Sequence, residues 1–329
     1  MPDFNLDPTP GTVIHLDSDR TLTVEAKLAE GDFADIYRCT YDGPPPAPVV
    51  PESVEEDDHT DAHRTRWDVL RAHWAPLEGE EAEEGDETAA VIKVARLEAD
   101  NDLIEAEAKA LRHLGRHREG QFHLYLAEPL VDSFTLRGRA ANVLPFLGGF
   151  GFHTLAEVHL AYADGIDYRD FAWMFKRALV VLGWAHHKGL IHGSVIPPHI
   201  FVHPTGHGAK LIDWCYSVPY EGKTSIKAIS GPYRAFVPPE VFAKRFPLPS
   251  TDLYMLAKCG VVLLGGNVET NEMPDSVPAE VQDMLHACLV ESPSARPLDA
   301  WGLHDRFDKI LQKLVGRPRY RPFSLSPRS

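Results

Sequence analysis

The chain has 329 residues, 44% of them hydrophobic and 25% charged, which fits a globular protein of one two-lobed domain or two small ones. Its 33 Lys and Arg against 48 Asp and Glu leave a net charge of −15, which disfavours nucleic acid or an anionic membrane as a general partner. Four cysteines (Cys39, Cys215, Cys259, Cys288) lie far apart without a C-x-x-C pair and read as free thiols of a reducing compartment. The first residues, MPDFNLDPTPG, show no basic region followed by an apolar run, and the longest apolar runs are far too short for a bilayer, so a cytoplasmic location is expected.

Residues 13–22 read as a lead-in strand or strand pair. Residues 28–37, LAEGDFADIY, turn at Gly31 and enter a second strand at Ile36 and Tyr37. Glu30, Asp32 and Asp35 place three carboxylates in this one loop. Residues 43–88 form an insertion that opens on three prolines and carries 14 Asp/Glu against 3 Arg, a net of −11. Its stretch 78–87 is acidic, of low complexity, and expected to be disordered. Within it Trp67, Leu70, Trp74 and Leu77 recur at helical spacing, so 61–74 can form an amphipathic helix. That stripe either packs on the body of the protein or docks a protein partner.

Residues 89–95, AAVIKVA, read as a buried strand interrupted by Lys93. A helix follows over 100–114, with Leu103, Leu111 and Leu114 on one face and Gly115 as a stop signal. Glu105 and Glu107 lie about 200° apart on it, so only one can face Lys93. Strands are expected at 122–128, 130–136 and 140–145, and a long amphipathic helix at 168–188. Residues 190–214 then read as strand, loop, strand, turn, strand, loop. Pro197 and Pro198 forbid helix in the first loop, and the partner strand 210–212 delivers Asp213. Two loops thus leave one hairpin side by side, one with Ser194 and His199, the other with Asp213.

This hairpin resembles the catalytic core of the protein kinase family, whose loops read H-R-D-L-x-x-x-N and D-F-G. Here the frame reads His192-Gly193-Ser194 through His199, then Asp213-Trp214-Cys215. The HG and LIDW spellings also look like aminoglycoside and choline phosphotransferases, which share the kinase-like fold. The resemblance implies that Ser194 stands at the position of the base Asp, His199 at that of the metal-binding Asn, and Ile196 at that of the phosphate-steering Lys. Asp213 keeps the metal-binding Asp. Lys93 matches the strand lysine that pairs nucleotide phosphates, and Glu107 has the spacing of the helix Glu that holds it. Residues 28–37 resemble the Gly-rich loop with only its middle glycine, Gly31, remaining. Residues 145–149 would be the hinge, with Leu144 and Phe146 beside the nucleotide; Pro145 there lacks an N–H donor. Pro238-Pro239-Glu240, Asp252 and Arg296-Pro297 match later motifs that belong to the protein kinase branch. Glu240 would pair Arg296, and Asp252 would brace the catalytic loop.

The resemblance covers roughly residues 20–315. It implies an α+β, two-lobed kinase-like fold: a lead-in over 1–19, a small antiparallel lobe over 20–147 with the insertion 43–88, a mainly helical lobe over 148–315, and a basic flexible tail over 316–329. With the base absent, the expected function is that of a pseudokinase, a regulatory or docking module with weak or no nucleotide binding. The alternative is an atypical ATP-dependent phosphotransferase that uses Lys93, Glu107 and Asp213. Any cofactor would be weakly bound ATP with magnesium or manganese, held by Asp213 and His199. Protein partners are expected through the Trp67/Leu70/Trp74 stripe or the large lobe. A separate metal site of His192, His199, His203 and His207 is a further reading, weighed against ordinary loop histidines with hydrogen bonds.

Overall fold

The computed structural model describes residues 7–16, 20–43, 88–117, 132–227, 231–317 and 319–325. The acidic insertion with Trp67, Leu70, Trp74 and Leu77, and the strand expected at 122–128, lie outside the described residues.

Among the described residues six antiparallel strands form the small lobe: β1 (Val13–His15), β2 (Thr21–Glu30), β3 (Ala34–Tyr41), β4 (Ala89–Ala95), β5 (Asp132–Leu136) and β6 (Arg139–Pro145), in the order β1-β2-β3-β4-β6-β5. Alternation decides which face is filled. Tyr37, Cys39 and Tyr41 of β3 turn inward with Leu22, Val24, Ile92, Val94 and Val143 to make this lobe's core. Helix α1 (Asn101–Gly115) packs on the sheet's other side through Ile104 and Leu103, with Ala140 and Cys215 in the same cluster.

The chain leaves β6 at Pro145, passes a short 3₁₀ turn and β7 (His153–Thr154), and becomes helical. Thr154 and Glu157 form a reciprocal capping box that starts α2 (Leu155–Ala161). Helix α3 (Tyr168–His187) follows, then β8 (Leu190–Ile191), β9 (Ile200–Val202), β10 (Ala209–Leu211) and β11 (Val218–Pro219). Among the described residues four more helices follow: α4 (Pro239–Phe242), α5 (Pro249–Leu263), α6 (Ala279–Cys288) and α7 (Ala300–Val315). Every residue of α5 is buried, its polar Ser250, Thr251, Asp252 and Lys258 included. It anchors one large core with α3, α6, α7 and the strands β8 to β10. The protein therefore has a two-lobed, kinase-like fold, an antiparallel sheet above a helical body. Among the described residues no helix is long and apolar enough to cross a membrane.

Three local expectations need correction. The prolines of the 192–199 loop do not exclude a helical turn: Pro197–His199 is a 3₁₀ turn, with proline at its first positions where no N–H is required. The strand that delivers Asp213 runs one residue earlier than expected, Ala209–Leu211, in register with β9 (Lys210 opposite Phe201). Residues 319–325, expected as part of a flexible arm, pack against the large lobe; Phe323 is buried in its core.

Candidate functional site

Lys93 is carried by β4, whose neighbours β3 and β6 pair Ile36 and Asn142 with it, so the side chain enters the cleft from the middle of the sheet. Its Nζ lies 3.1 Å from Glu107 Oε1 and 3.1 Å from Asp213 Oδ2. Glu107, not the exposed Glu105, is the α1 carboxylate that reaches it. Burial alone would lower the ammonium's pKa, but the carboxylates of Asp213 and Glu107 outweigh it and hold the pKa well above its ordinary value. Asp213 mirrors this: burial would raise its pKa, yet Lys93 and then His199 keep the carboxyl well below the usual range.

Asp213 owes its aim to its backbone. Its φ of 61° and ψ of 66° are left-handed, a region that Asp tolerates better than most residues. The next residue, Trp214, is buried and ties its Nε1 to Leu211 O at 3.2 Å. Ile212 N donates to His199 O at 3.0 Å, fixing the two loops side by side. Across that join, His199 Nε2 lies 3.3 Å from Asp213 Oδ2, while its Nδ1 lies 3.0 Å from Ser194 Oγ and 2.9 Å from Ser194 O. Ser194, His199, Asp213, Lys93 and Glu107 thus form one continuous chain of polar contacts. Ser194 is fully buried.

The corner before Ser194 is braced from below. Asp252 accepts from the backbone N–H groups of His192 and Gly193, at 2.8 Å each, and contacts His186 Nε2 at 2.8 Å. His192 accepts from Ser194 N at Nδ1 (3.2 Å) and donates from Nε2 to Ile212 O (3.0 Å), which the neutral ring does best. Burial accordingly lowers its pKa to about 4. Gly193 is obligatory: its φ is +78°, and a Cβ there would meet Tyr216 O at 2.5 Å. Further down, Arg296 grips both oxygens of Glu240 at 2.7 and 3.1 Å, and both residues are buried.

The loop at Gly31 is stitched to itself. Gly31 N donates to Ala34 O at 2.9 Å, and Arg96 binds Gly31 O (3.0 Å), Glu30 (2.7 Å) and, through its backbone N, Phe33 O (2.8 Å). Phe33 lies over Lys93, 5.5 Å from Nζ to the ring centroid, and meets Tyr216 edge to face. Two of the three carboxylates that the sequence places in this loop meet cations. Asp35 is buried beside Lys27 (3.1 Å) and Arg96 (4.0 Å), and Glu30 pairs with both cations. At the hinge, Leu144 is half-buried in β6, and the Phe146 ring is covered by the Arg38 guanidinium at 4.8 Å.

Two residues escape the sequence reading. Asn142 Nδ2, buried in β6, donates to Glu107 Oε2 (3.0 Å) and Ile104 O (2.9 Å), locking the carboxylate that holds Lys93. A polar residue in the middle of the apolar strand RAANVLP was its signal. Cys215 brings a buried thiol against Glu107 and Asp213; among the described residues these are the three donors of one group within 4.8 Å. The four loop histidines form no such group: His203 Nδ1 accepts from Gly206 N, and His207 stacks on Trp173.

As a metal pair, Asp213 Oδ2 and His199 Nε2 are close enough to share one ion. A nitrogen–oxygen pair fits manganese or zinc better than magnesium. Lys93 competes for the same carboxylate oxygen.

No protein-family model matches the chain. It is 23% identical over 233 residues to serine/threonine-protein kinase PknK of Mycobacterium bovis, covering 64% of this chain and 20% of that protein. It is 26% identical over 175 residues to serine/threonine-protein kinase F of Synechocystis, covering 50% of this chain and 34% of that protein. Sperm motility kinase 3A of Mus musculus shows 20% identity over 155 residues, 42% of this chain and 31% of that protein. The matches thus span a fifth to a third of the length of these relatives. Together with the fold, they support placing the chain in the protein kinase-like superfamily.

Proposed function

We propose that this chain is a pseudokinase, a kinase-fold regulatory or docking module that binds nucleotide weakly or not at all. One observation carries the reading. The residue at the base position, Ser194, is fully buried and engaged with His199, which closes on Asp213, which closes on Lys93. An acceptor hydroxyl finds no carboxylate there, and general base help is worth roughly 10²–10⁴-fold in rate. The Gly31 loop adds to this: the glycine's N–H is engaged within its own hairpin, and Phe33 covers the lysine. The four cysteines are buried free thiols, which suits the reducing, cytoplasmic setting of this reading.

The alternative, an active phosphotransferase, is favoured by one specific arrangement. Lys93, Glu107 and Asp213 stand assembled at 3.1 Å, and phosphoryl transfer depends mainly on positioning and charge. In that case Asp213 and His199 would hold the ion, which would neutralise phosphate charge. Thermal-shift and calorimetric titrations with ATP, ADP and GTP, with magnesium and with manganese, separate the two. The pseudokinase reading expects dissociation constants in the high-micromolar range or weaker, by order of magnitude. Tight, metal-dependent ATP binding that Lys93→Ala abolishes sides with the alternative.

A further inference from the structure

The turn at the far end of the functional hairpin is held from outside by residues 319–325. His207 in that turn has a φ of +46° and lies flat between two rings, Trp173 of α3 (4.1 Å, 3° between planes) and Tyr320 (4.7 Å, 30°). Tyr320 Oη donates to Thr205 O at 3.1 Å, and Arg177 Nε donates to His207 O at 2.9 Å. Arg321 then makes a two-pronged pair with Asp170 in the first turn of α3 (2.9 and 3.1 Å), with Asp167 3.6 Å away. Phe323, 8% exposed, stacks on Tyr162 (5.6 Å) and meets the edge of Trp173 (6.2 Å). Tyr162 Oη donates to Ser324 O at 2.7 Å.

The segment's sequence explains its fit. Pro322 biases Arg321 toward extended backbone, so alternate residues face alternate sides. Arg321 and Phe323 turn into the groove and Pro322 is exposed, while Tyr320, also exposed on one side, lays its ring on His207. The groove supplies what each needs: a buried carboxylate for the guanidinium and an aromatic floor for the ring. A bidentate Arg–carboxylate pair gives geometry as well as attraction.

We propose that Tyr162, Asp170, Trp173 and His207 form a peptide groove for an aromatic–Arg–Pro–aromatic segment, filled in cis by residues 320–323, and that this occupancy stiffens the hairpin carrying His199 and Asp213. The lever is short. Strands β9 and β10 have three residues each, so the clamped turn lies about 10 Å from the site end. A hairpin this small has little stability of its own, and its remaining strand partner, β7, is two residues long. Fastening its turn therefore limits motion at its other end. This inference stands on the large lobe alone and needs neither nucleotide nor activity.

The test uses the full chain carrying Arg321→Ala and Phe323→Ala, with a labelled synthetic peptide of residues 317–329 as probe. The variant should bind the peptide, and the unaltered chain, whose groove is filled, should bind it at least tenfold more weakly. Asp170→Asn in the variant should weaken binding roughly tenfold. Hydrogen exchange across residues 200–213 should rise in the variant and fall again when peptide is added. Arg321→Glu in an otherwise unaltered chain keeps Phe323 in place and should show the same rise if the double variant folds poorly. Equal peptide binding by both chains, no binding by either, or unchanged exchange over 200–213 would overturn the proposal.

Discussion

Lys93 holds Glu107 and Asp213 at the same distance, 3.1 Å each, and is the cation between two carboxylates drawn from different lobes. Lys93→Met removes that cation and leaves the carboxylates facing each other. Breaking a buried pair from one side costs about 3–5 kcal/mol. Urea denaturation should show a loss of that size, and Lys93→Met with Glu107→Gln should recover part of it. An unchanged midpoint in the single variant would remove the pair from the stability account.

Glu240 and Arg296 test the large lobe in the same way. Their side chains are at most 1% exposed, and Thr251 Oγ1 donates to Glu240 Oε1 at 3.0 Å, so the carboxylate is fully engaged. Arg296→Ala strands a buried charge and should cost about 3–5 kcal/mol. A melting temperature lowered by only a degree or so would contradict this.

These pairs show what the sequence carries and what it withholds. Lys93 and Glu107 were legible through the kinase resemblance, helical geometry adding only that one of Glu105 and Glu107 can face the lysine, and Glu240 and Arg296 were legible because their motifs recur in order. The neutralisation of Asp35 was not, since Lys27 meets it only through strand pairing, and Arg96 reaches Glu30 only from a distant segment of the chain. Asn142 stands out as a lone amide in its strand, but nothing in the sequence says that Glu107 is its partner. Ile196 was read by its position in the frame as a residue at the phosphates, yet it is 3% exposed and belongs to the core. Residues 319–325 look solvated by composition; only the aromatic and acidic groove, assembled from distant segments, gives them a place to pack.

Acid should destabilise the fold partly through His192. Its pKa falls from 6.5 to about 4 on folding, so between those values the unfolded chain binds the proton more readily. Stability is therefore full above about pH 6.5 and declines as pH falls toward 4, by about 3 kcal/mol at most from this ring. His192→Phe keeps a ring against Trp214 (4.4 Å between centroids in the parent) but cannot titrate. It should be less stable at pH 7 and show a flatter pH dependence between 6.5 and 4. An identical slope in both proteins would assign the acid effect elsewhere.

Deleting residues 44–86 should leave both lobes folded. The flanking strands β3 and β4 are adjacent in the sheet, Thr40 opposite Ala89, so the ends to be joined lie close together. Long surface insertions also cost little to close or remove. Circular dichroism and a melting temperature within a few degrees of the parent would agree. An insoluble or molten product would instead make the Trp67/Leu70/Trp74 stripe part of the core and end its candidacy as a docking element.

The purified chain should not phosphorylate protein. Ser194 carries no charge, is fully buried, and has its hydroxyl 3.0 Å from His199 Nδ1, so it can neither take a proton near neutrality nor meet an acceptor. His199 turns its other nitrogen to Asp213, where an amide oxygen would serve a second ion. These defects act on different parts of one transition state, so neither offsets the other. Radiolabelled ATP with generic substrates, and with the chain itself, in magnesium and in manganese, is the measurement. The converse variant is Ser194→Asp with His199→Asn. Lysine at 196 is left out of it, because an ammonium there would enter the core beside Val195 and Ile200. Gained activity would show that the loop geometry is intact and only its chemistry lost. Label incorporated by the unaltered chain and abolished by Asp213→Ala would reject the pseudokinase reading in favour of an active phosphotransferase.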